Sequence, residues 1–141
     1  MNRNGPPQEG DVWRYPYLWR WQDARNETED RKNRPVSFVA VAKTVSGEHL
    51  LFVLPITSKE PDTGAHAIEI PQTELRRAGL DSALKLWIVI DEYNLDILER
   101  SFYFEPGGRL GSFSPKFRST IVRQFRQLFS VRRSKPVKRF E

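Results

Sequence analysis

The sequence predicts a mainly β fold, a small β-barrel of five to six antiparallel strands with helices, the last of which is amphipathic and C-terminal. One observation is a pair of β-rich runs, 35–42 and 49–57, joined by a short segment that contains Gly47. Another is the abundance of large rings, nine Phe and four Trp, which suit the core of a sheet or barrel. The third is an apolar stripe at helical spacing near the C-terminus, formed by Phe117, Ile121, Phe125 and Leu128.

The other elements follow from local signals along the chain. Strands are predicted at 10–15, 35–42, 49–57, 67–70, 84–91 and 97–104. Pro71 opens a short helix that ends at about Ala78, because the Gly79 that follows is typical of a helix end. The last helix begins at Ser114-Pro115, a favourable cap followed by a favourable first residue. The glycines within 107–111 have no phosphate-loop lysine after them, so this segment is predicted to be a turn.

Length and composition limit the classes of function. The 141 residues predict one domain at 10–130, preceded by a flexible N-terminus at 1–9. With no cysteine and two histidines, the chain is expected to hold no disulfide, thiolate nucleophile, metal or other cofactor. It has no apolar run long enough to span a membrane and no hydrophobic signal segment at its start. The expected location is therefore the cytoplasm, without membrane contact.

Most of the net charge of +5 lies at the C-terminal end. Residues 131–141 contain five Lys or Arg and one acid, Glu141, so the domain itself is close to neutral. This composition predicts a basic C-terminal tail at 131–141 that is mobile and solvated. The alternative is a tail that contacts RNA phosphates without sequence preference.

The segment 16–33 begins with crowded aromatic rings and continues into a charged stretch without a steady period. It predicts a long loop with room for a helical turn. Exposed rings cost free energy, so one interpretation is a hydrophobic flap over one end of the barrel. The other is a surface on which nucleobases stack, and this interpretation makes Trp19 and Trp21 RNA-binding residues.

The hairpin brings two chemically useful residues together. Arg34 stands at the start of one strand and Thr57 at the end of its partner, and these ends are neighbours in an antiparallel pair. A guanidinium beside a hydroxyl suits binding and cleavage of a phosphodiester. The structural alternatives are an ion pair of Arg34 with Glu29 or Asp30, and a Thr57 hydroxyl that satisfies a turn.

Six short motifs, in this order and spacing, resemble the PemK/MazF family of toxin endoribonucleases. They are Gly10-Asp11-Val12-Trp13, Arg34-Pro35-Val36, Leu54-Pro55-Ile56-Thr57-Ser58, Ile68-Glu69-Ile70-Pro71, Gly79-Leu80-Asp81 and Leu110-Gly111-Ser112-Phe113-Ser114. The resemblance covers Gly10 to about Leu128. It implies an SH3-like barrel that forms a homodimer and binds single-stranded RNA, such as mRNA, in a groove across the dimer. It also implies a growth-inhibiting toxin of a type II toxin–antitoxin system, whose cognate antitoxin occludes the groove.

The resemblance also implies roles for individual residues. Arg34 matches the arginine that binds the scissile phosphate, Thr57 matches the hydroxyl at the strand end, and Asp91 lies near the catalytic aspartate of the PemK branch. Val89 stands where that branch has an arginine.

Five further residues complete the predicted site. Arg31 and Lys32 are candidates for the missing cation, while Ser58 and the two loop tryptophans are candidates for RNA binding. In-line attack by a ribose 2′-oxygen also needs a proton acceptor, and threonine alone is a poor one. Asp91, Asp30 or Glu29 is expected to assist it, or else Arg34 acts as the acid and a carboxylate as the base.

Two alternatives to an endoribonuclease stay open. A related toxin branch with the same barrel, CcdB, inhibits DNA gyrase by binding and depends on the end of its C-terminal helix. Here the chain continues past that helix into basic residues, which fits nucleic acid better. The other alternative is a barrel that binds RNA or protein without chemistry, and Val89 in place of an arginine favours it.

Overall fold

The computed structural model describes residues 6–25 and 33–140. A short 3-10 turn at Leu98–Arg100 follows the sixth strand. In chain order, the helices are α1 Arg20–Asp23, α2 Gln72–Arg77 and α3 Pro115–Ser130. The strands are β1 Asp11–Tyr15, β2 Arg34–Lys43, β3 His49–Thr57, β4 Ala67–Glu69, β5 Trp87–Val89, β6 Glu92–Ile97, β7 Arg109–Ser112 and β8 Lys135–Lys138.

The eight strands form one sheet in the order β4-β5-β3-β2-β1-β7, with β6 paired to β3 and β8 paired to β6. All of these pairs are antiparallel except β6–β8. The prediction of a mainly β fold with a C-terminal helix is confirmed. The predicted number of strands, five to six, is lower than the eight of the described residues. Closure of the sheet into an SH3-like barrel stays a prediction.

Two predicted strands were placed wrongly. The run 84–91 contributes only the three residues of β5, and the chain then starts a separate strand at Glu92. The run 97–104 is not a strand, because β6 ends at Ile97 and the 3-10 turn follows. Strand β6 was not predicted because two of its residues, Asn94 and Asp96, are polar although they are fully buried. Hydrogen bonds of their side chains satisfy both residues.

The glycine-containing segment predicted as a turn includes strand β7, which pairs with β1. The end of α2 packs directly against β7 at Gly111, and only a glycine leaves room for this contact. A Cβ at position 111 would lie 2.6 Å from the Arg77 carbonyl oxygen, closer than atoms can approach. The close approach of a helix therefore explains the glycine that suggested a turn.

The prediction of a mobile basic tail was wrong for the part that the structure describes. Strand β8 pairs in parallel with β6, and Val137 is buried to 1% exposure. The Arg139 guanidinium donates to the Pro16 carbonyl at 2.7 Å and lies 3.8 Å from the centre of the Tyr103 ring. The C-terminal residues are therefore part of the sheet and hold the start of the 16–33 segment.

Helix α3 supports the sheet as the stripe predicted. All four residues of the stripe are buried, in a cluster that includes Leu54, Ile56 and Ile88. The Ser114 hydroxyl accepts from the Phe117 amide and donates to Glu74, which fixes the start of the helix. None of the helices in the described part of the chain has the length and apolar character needed to cross a membrane.

The described rings of the segment 16–33 differ in burial, and the role of Trp19 and Trp21 in RNA binding stays a prediction. Tyr17 and Leu18 are buried against the sheet, as a flap would be. Trp19 is half-buried, and Trp21 on α1 is 54% exposed. The short α1 confirms that this segment contains a helical turn.

Candidate functional site

The ends of β2 and β3 meet at one cleft of about 520 Å³. Val36 pairs with Pro55, so Arg34 and Thr57 lie two residues beyond this pair on their respective strands. Both residues line the cleft, as the sequence predicted from the hairpin. We call this space the strand-end cleft. The lining residues that bear on its chemistry are Trp19, Trp21, Arg34, Thr57, Lys59, Glu60, Asp62 and Glu92.

Arg34 is held against an aromatic ring. Its guanidinium carbon lies 5.2 Å from the centre of the Trp19 ring, within the range of a cation–π contact. Pro35 follows it and pairs with Arg14 of β1, which fixes the backbone at this point. Trp19 therefore positions the arginine, while the exposed Trp21 offers a ring at the rim of the cleft.

Thr57 takes part in the turn that follows β3. Its hydroxyl oxygen accepts a hydrogen bond from the Lys59 amide at 3.1 Å, as the structural alternative predicted. A hydroxyl has two acceptor lone pairs and one hydrogen, and this bond uses one lone pair only. The hydroxyl can still donate its hydrogen to a group in the cleft, because Thr57 is only half-buried.

Asp91 lies beside the strand-end cleft and not among its lining residues. Its carboxylate accepts from the His66 amide at 3.2 Å, and its carbonyl accepts from the Lys135 amide at 3.0 Å. It lines a separate depression together with Arg20 and Trp21. The structure thus brings Arg34 and Thr57 together but places Asp91, the predicted catalytic aspartate, in an adjacent depression.

Three carboxyl groups line the strand-end cleft: Glu92, which is half-buried, and Glu60 and Asp62, which are exposed. Sequence analysis missed Glu92. Its Oε1 accepts from the Tyr17 hydroxyl at 3.0 Å and from the Arg20 amide at 3.1 Å. Burial raises the pKa of Glu92 above its ordinary value, although these two hydrogen bonds act in the opposite direction. Its position directly after Asp91 was the only sequence signal available.

Lys59 is a second cation that sequence analysis missed, and it lines the cleft two residues after Thr57. Val89 also lines the cleft, at the position where the PemK branch has an arginine. Ser58 is exposed and is not one of the lining residues. Arg31, Lys32, Glu29 and Asp30 lie outside the described residues. Lys59 therefore adds a second cation to Arg34 within the described lining of the cleft.

The described residues contain no group of three or more His, Cys, Asp or Glu side chains placed to hold a metal ion. The chemistry available in the strand-end cleft comes from two cations, one hydroxyl, two indole rings and three carboxyl groups, of which Glu60 and Asp62 are exposed and Glu92 is half-buried. This set can bind an anion, place a ring beside it and accept a proton. No protein-family model matches the chain, and a search of curated proteins finds no match to it.

Proposed function

We propose that the protein is a metal-independent endoribonuclease that cleaves single-stranded RNA in the strand-end cleft and acts as the toxin of a toxin–antitoxin pair. The observation that carries the proposal is the meeting of Arg34 and Thr57 at neighbouring strand ends, in one cleft with Lys59 and Glu92. The resemblance to the PemK/MazF family supports the choice of RNA and of a cognate antitoxin that covers the cleft in a homodimer.

The proposed reaction is a transfer within the RNA. A ribose 2′-oxygen attacks the adjacent phosphorus, the bond from phosphorus to the 5′-oxygen breaks, and the products are a 2′,3′-cyclic phosphate and a 5′-hydroxyl. Arg34 and Lys59 balance the charge that grows on the phosphate oxygens, and the Thr57 hydroxyl donates to one of them. The departing 5′-oxygen takes its proton from water.

Glu92 is the proposed base that accepts the proton of the 2′-hydroxyl. A general base works best when its pKa lies near the working pH, and burial moves the pKa of Glu92 in that direction. The Asp91 carboxylate accepts from the His66 amide, and Asp91 lies outside the lining of the cleft. The proposal therefore transfers the role of base from Asp91 to its neighbour.

A cleft that binds RNA without cleaving it is the second candidate. Two observations favour it: the Thr57 oxygen already accepts from the Lys59 amide, and Val89 replaces an arginine in the lining. Both candidates place the phosphate at Arg34, so they differ only in whether the RNA is cut.

The test is incubation of the purified protein with a long single-stranded RNA in the presence of EDTA. We expect cleavage at discrete sites, and we expect Arg34→Ala to slow it ~10²–10³-fold, which is typical for loss of one preorganised donor. Arg14→Ala is the matched control, because Arg14 is an exposed arginine on the neighbouring strand and does not line the cleft. Binding without cleavage by the wild type would support the second candidate, and equal rates in the two variants would remove Arg34 from the mechanism.

A further inference from the structure

A second cleft, of about 590 Å³, opens on the other side of α1. We call it the C-terminal cleft, because the end of β8 and the residues after it form one of its walls. The segment after β6 forms the opposite wall. Its lining includes Arg100, Phe102, Tyr103, Lys138, Arg139 and Phe140.

The C-terminal cleft is strongly basic. Arg100, Lys138 and Arg139 line it against one acid, Asp23. Arg100 is partly balanced, since its Nε lies 3.0 Å from a carboxylate oxygen of Glu48. Arg139 is different: it is buried, and no carboxylate of the described residues lies within salt-bridge distance of it. The three cations against one acid in its lining give this cleft a positive potential that favours an anionic ligand.

Exposed aromatic rings accompany this charge. The Phe102 side chain is 94% exposed, although a phenylalanine gains free energy when it is buried. Phe140 lies at the same cleft with the Arg100 guanidinium 5.9 Å from its ring centre. Rings that alternate with cations along a groove are typical of surfaces on which single-stranded nucleic acids stack their bases.

An extended peptide fits this surface less well than a nucleic acid. Strand β8 borders the cleft and pairs with β6 alone among the described strands, so a peptide would have to add to its outer edge. Pro136 has no amide hydrogen to donate, and Lys135 and Lys138 are exposed charges on the same short strand. Prolines and lysines are the residues that keep further strands away from a sheet edge.

We propose that the C-terminal cleft binds nucleotides that flank the scissile bond, in the same RNA strand that occupies the strand-end cleft. Helix α1 connects the two clefts, because Trp21 lines the first and Asp23 lines the second. One base stacks on Phe102, and the phosphates beside it lie against Lys138 and the field of Arg139. This inference rests on the proposed function.

The test measures the affinity of two RNA oligonucleotides whose 2′-oxygens are methylated, so that neither is cleaved. One has four nucleotides centred on the mapped cleavage site, and the other extends it to twelve. We expect Phe102→Ala to weaken binding of the long oligonucleotide ~5-fold or more, the lower limit for one stacked base. Binding of the short one is expected to stay unchanged, and Phe102→Trp should retain the wild-type affinity for both.

Charge is tested separately through salt dependence. Lys138→Ala should lower the slope of log affinity against log salt for the long oligonucleotide by about 0.7, the value for one phosphate contact with a single strand. Lys116→Ala is the control, since Lys116 is exposed on α3 and lines neither cleft.

Equal affinity of wild type and Phe102→Ala for the long oligonucleotide would overturn the inference while leaving the proposed function intact. Failure of the wild type to bind either oligonucleotide would overturn both. A polyglutamate peptide serves as the third probe. If it binds in a Phe102-dependent manner and the RNA does not, the cleft belongs to an acidic protein partner and the inference is wrong.

Discussion

At the scale of single residues, Glu92 is the group whose environment departs most from what its sequence position suggests. The neighbouring Asp91 and Glu92 look equivalent in the sequence, yet only Glu92 accepts from the buried Tyr17 hydroxyl and lines the strand-end cleft. Burial raises the pKa of Tyr17 well above its ordinary value, and the charge of Glu92 raises it further. The carboxyl and the phenol therefore share one proton-donating hydrogen bond over the working pH range.

Glu92 should also give the stability of the protein a specific pH dependence. Its pKa is raised in the folded state, so in the unfolded chain it loses its proton at lower pH, near the ordinary value of 4.5. Its contribution to stability is complete below that pH and is lost as the pH rises through the higher folded pKa. Glu92→Gln keeps both acceptor bonds but cannot ionise.

We expect the free energy of unfolding of the wild type, measured relative to Glu92→Gln by urea denaturation, to decrease as the pH rises from about 4.5 toward neutrality. Asp91→Asn is the matched control and should not remove this dependence. Parallel curves for the wild type and Glu92→Gln would show that the environment of Glu92 does not perturb its pKa.

At the scale of secondary-structure elements, the C-terminal strand and the segment before α1 stabilise each other. Asn94 of β6 accepts from the Leu18 amide at 2.9 Å and donates to the Leu18 carbonyl at 2.7 Å, as a strand neighbour would. Arg139 donates to Asn94 and to the Pro16 carbonyl. Because Trp19 follows Leu18 and contacts the Arg34 guanidinium, these bonds set the position of the strand-end cleft.

This arrangement predicts that the C-terminal residues matter for folding. Arg139→Ala leaves the buried Asn94 oxygen and the half-buried Pro16 oxygen with one donor fewer, so the free energy of unfolding should fall by about 1–3 kcal/mol. Lys138→Ala, an exposed neighbour at the end of β8, should change it by no more than about 0.5 kcal/mol. Chemical denaturation measures both. Equal stability of Arg139→Ala and the wild type would support the mobile tail that the composition predicted.

The sequence predicted those elements whose signals are local. The hairpin of β2 and β3 follows from its β-rich runs and Gly47, and α3 follows from its stripe and the Ser114 cap. It missed β8, which has Val137 as its only buried residue, because four residues with two lysines and a proline carry no strand pattern. Parallel pairing to β6 decides this strand, and that contact is distant in sequence.

The residues of the candidate site also differ in whether local sequence signals could predict them. The register of one hairpin was enough to bring Arg34 near Thr57, and the structure places both in the strand-end cleft. Glu92 and Lys59 could not be selected from the many other charged residues of the sequence. The place of Glu92 depends on its contact with the buried Tyr17, and that of Lys59 depends on the turn after β3. Local patterns predicted that Arg34 and Thr57 meet, and tertiary contacts place Glu92 in the same cleft.

At the scale of the whole molecule, α1 connects two clefts that both contain cations. The strand-end cleft contains two cations and three acids, and the C-terminal cleft contains three cations and one acid. Net charge of +5 favours association with a polyanion, and the rings of Trp21 and Phe102 at the two clefts favour one with unpaired bases. The proposed substrate, single-stranded RNA, has both properties.

The measurement that tests the central claim most directly uses a single-stranded RNA that carries one mapped cleavage site. A matched RNA lacks only the 2′-hydroxyl of the nucleotide on the 5′ side of the scissile bond. With EDTA present, the wild type should cut the first RNA to a 2′,3′-cyclic phosphate and a 5′-hydroxyl and leave that bond intact in the second, while Arg34→Ala cuts neither at a comparable rate. Cleavage of the deoxy-substituted bond, or undiminished cleavage by Arg34→Ala, would contradict a 2′-oxygen attack assisted by the strand-end cleft.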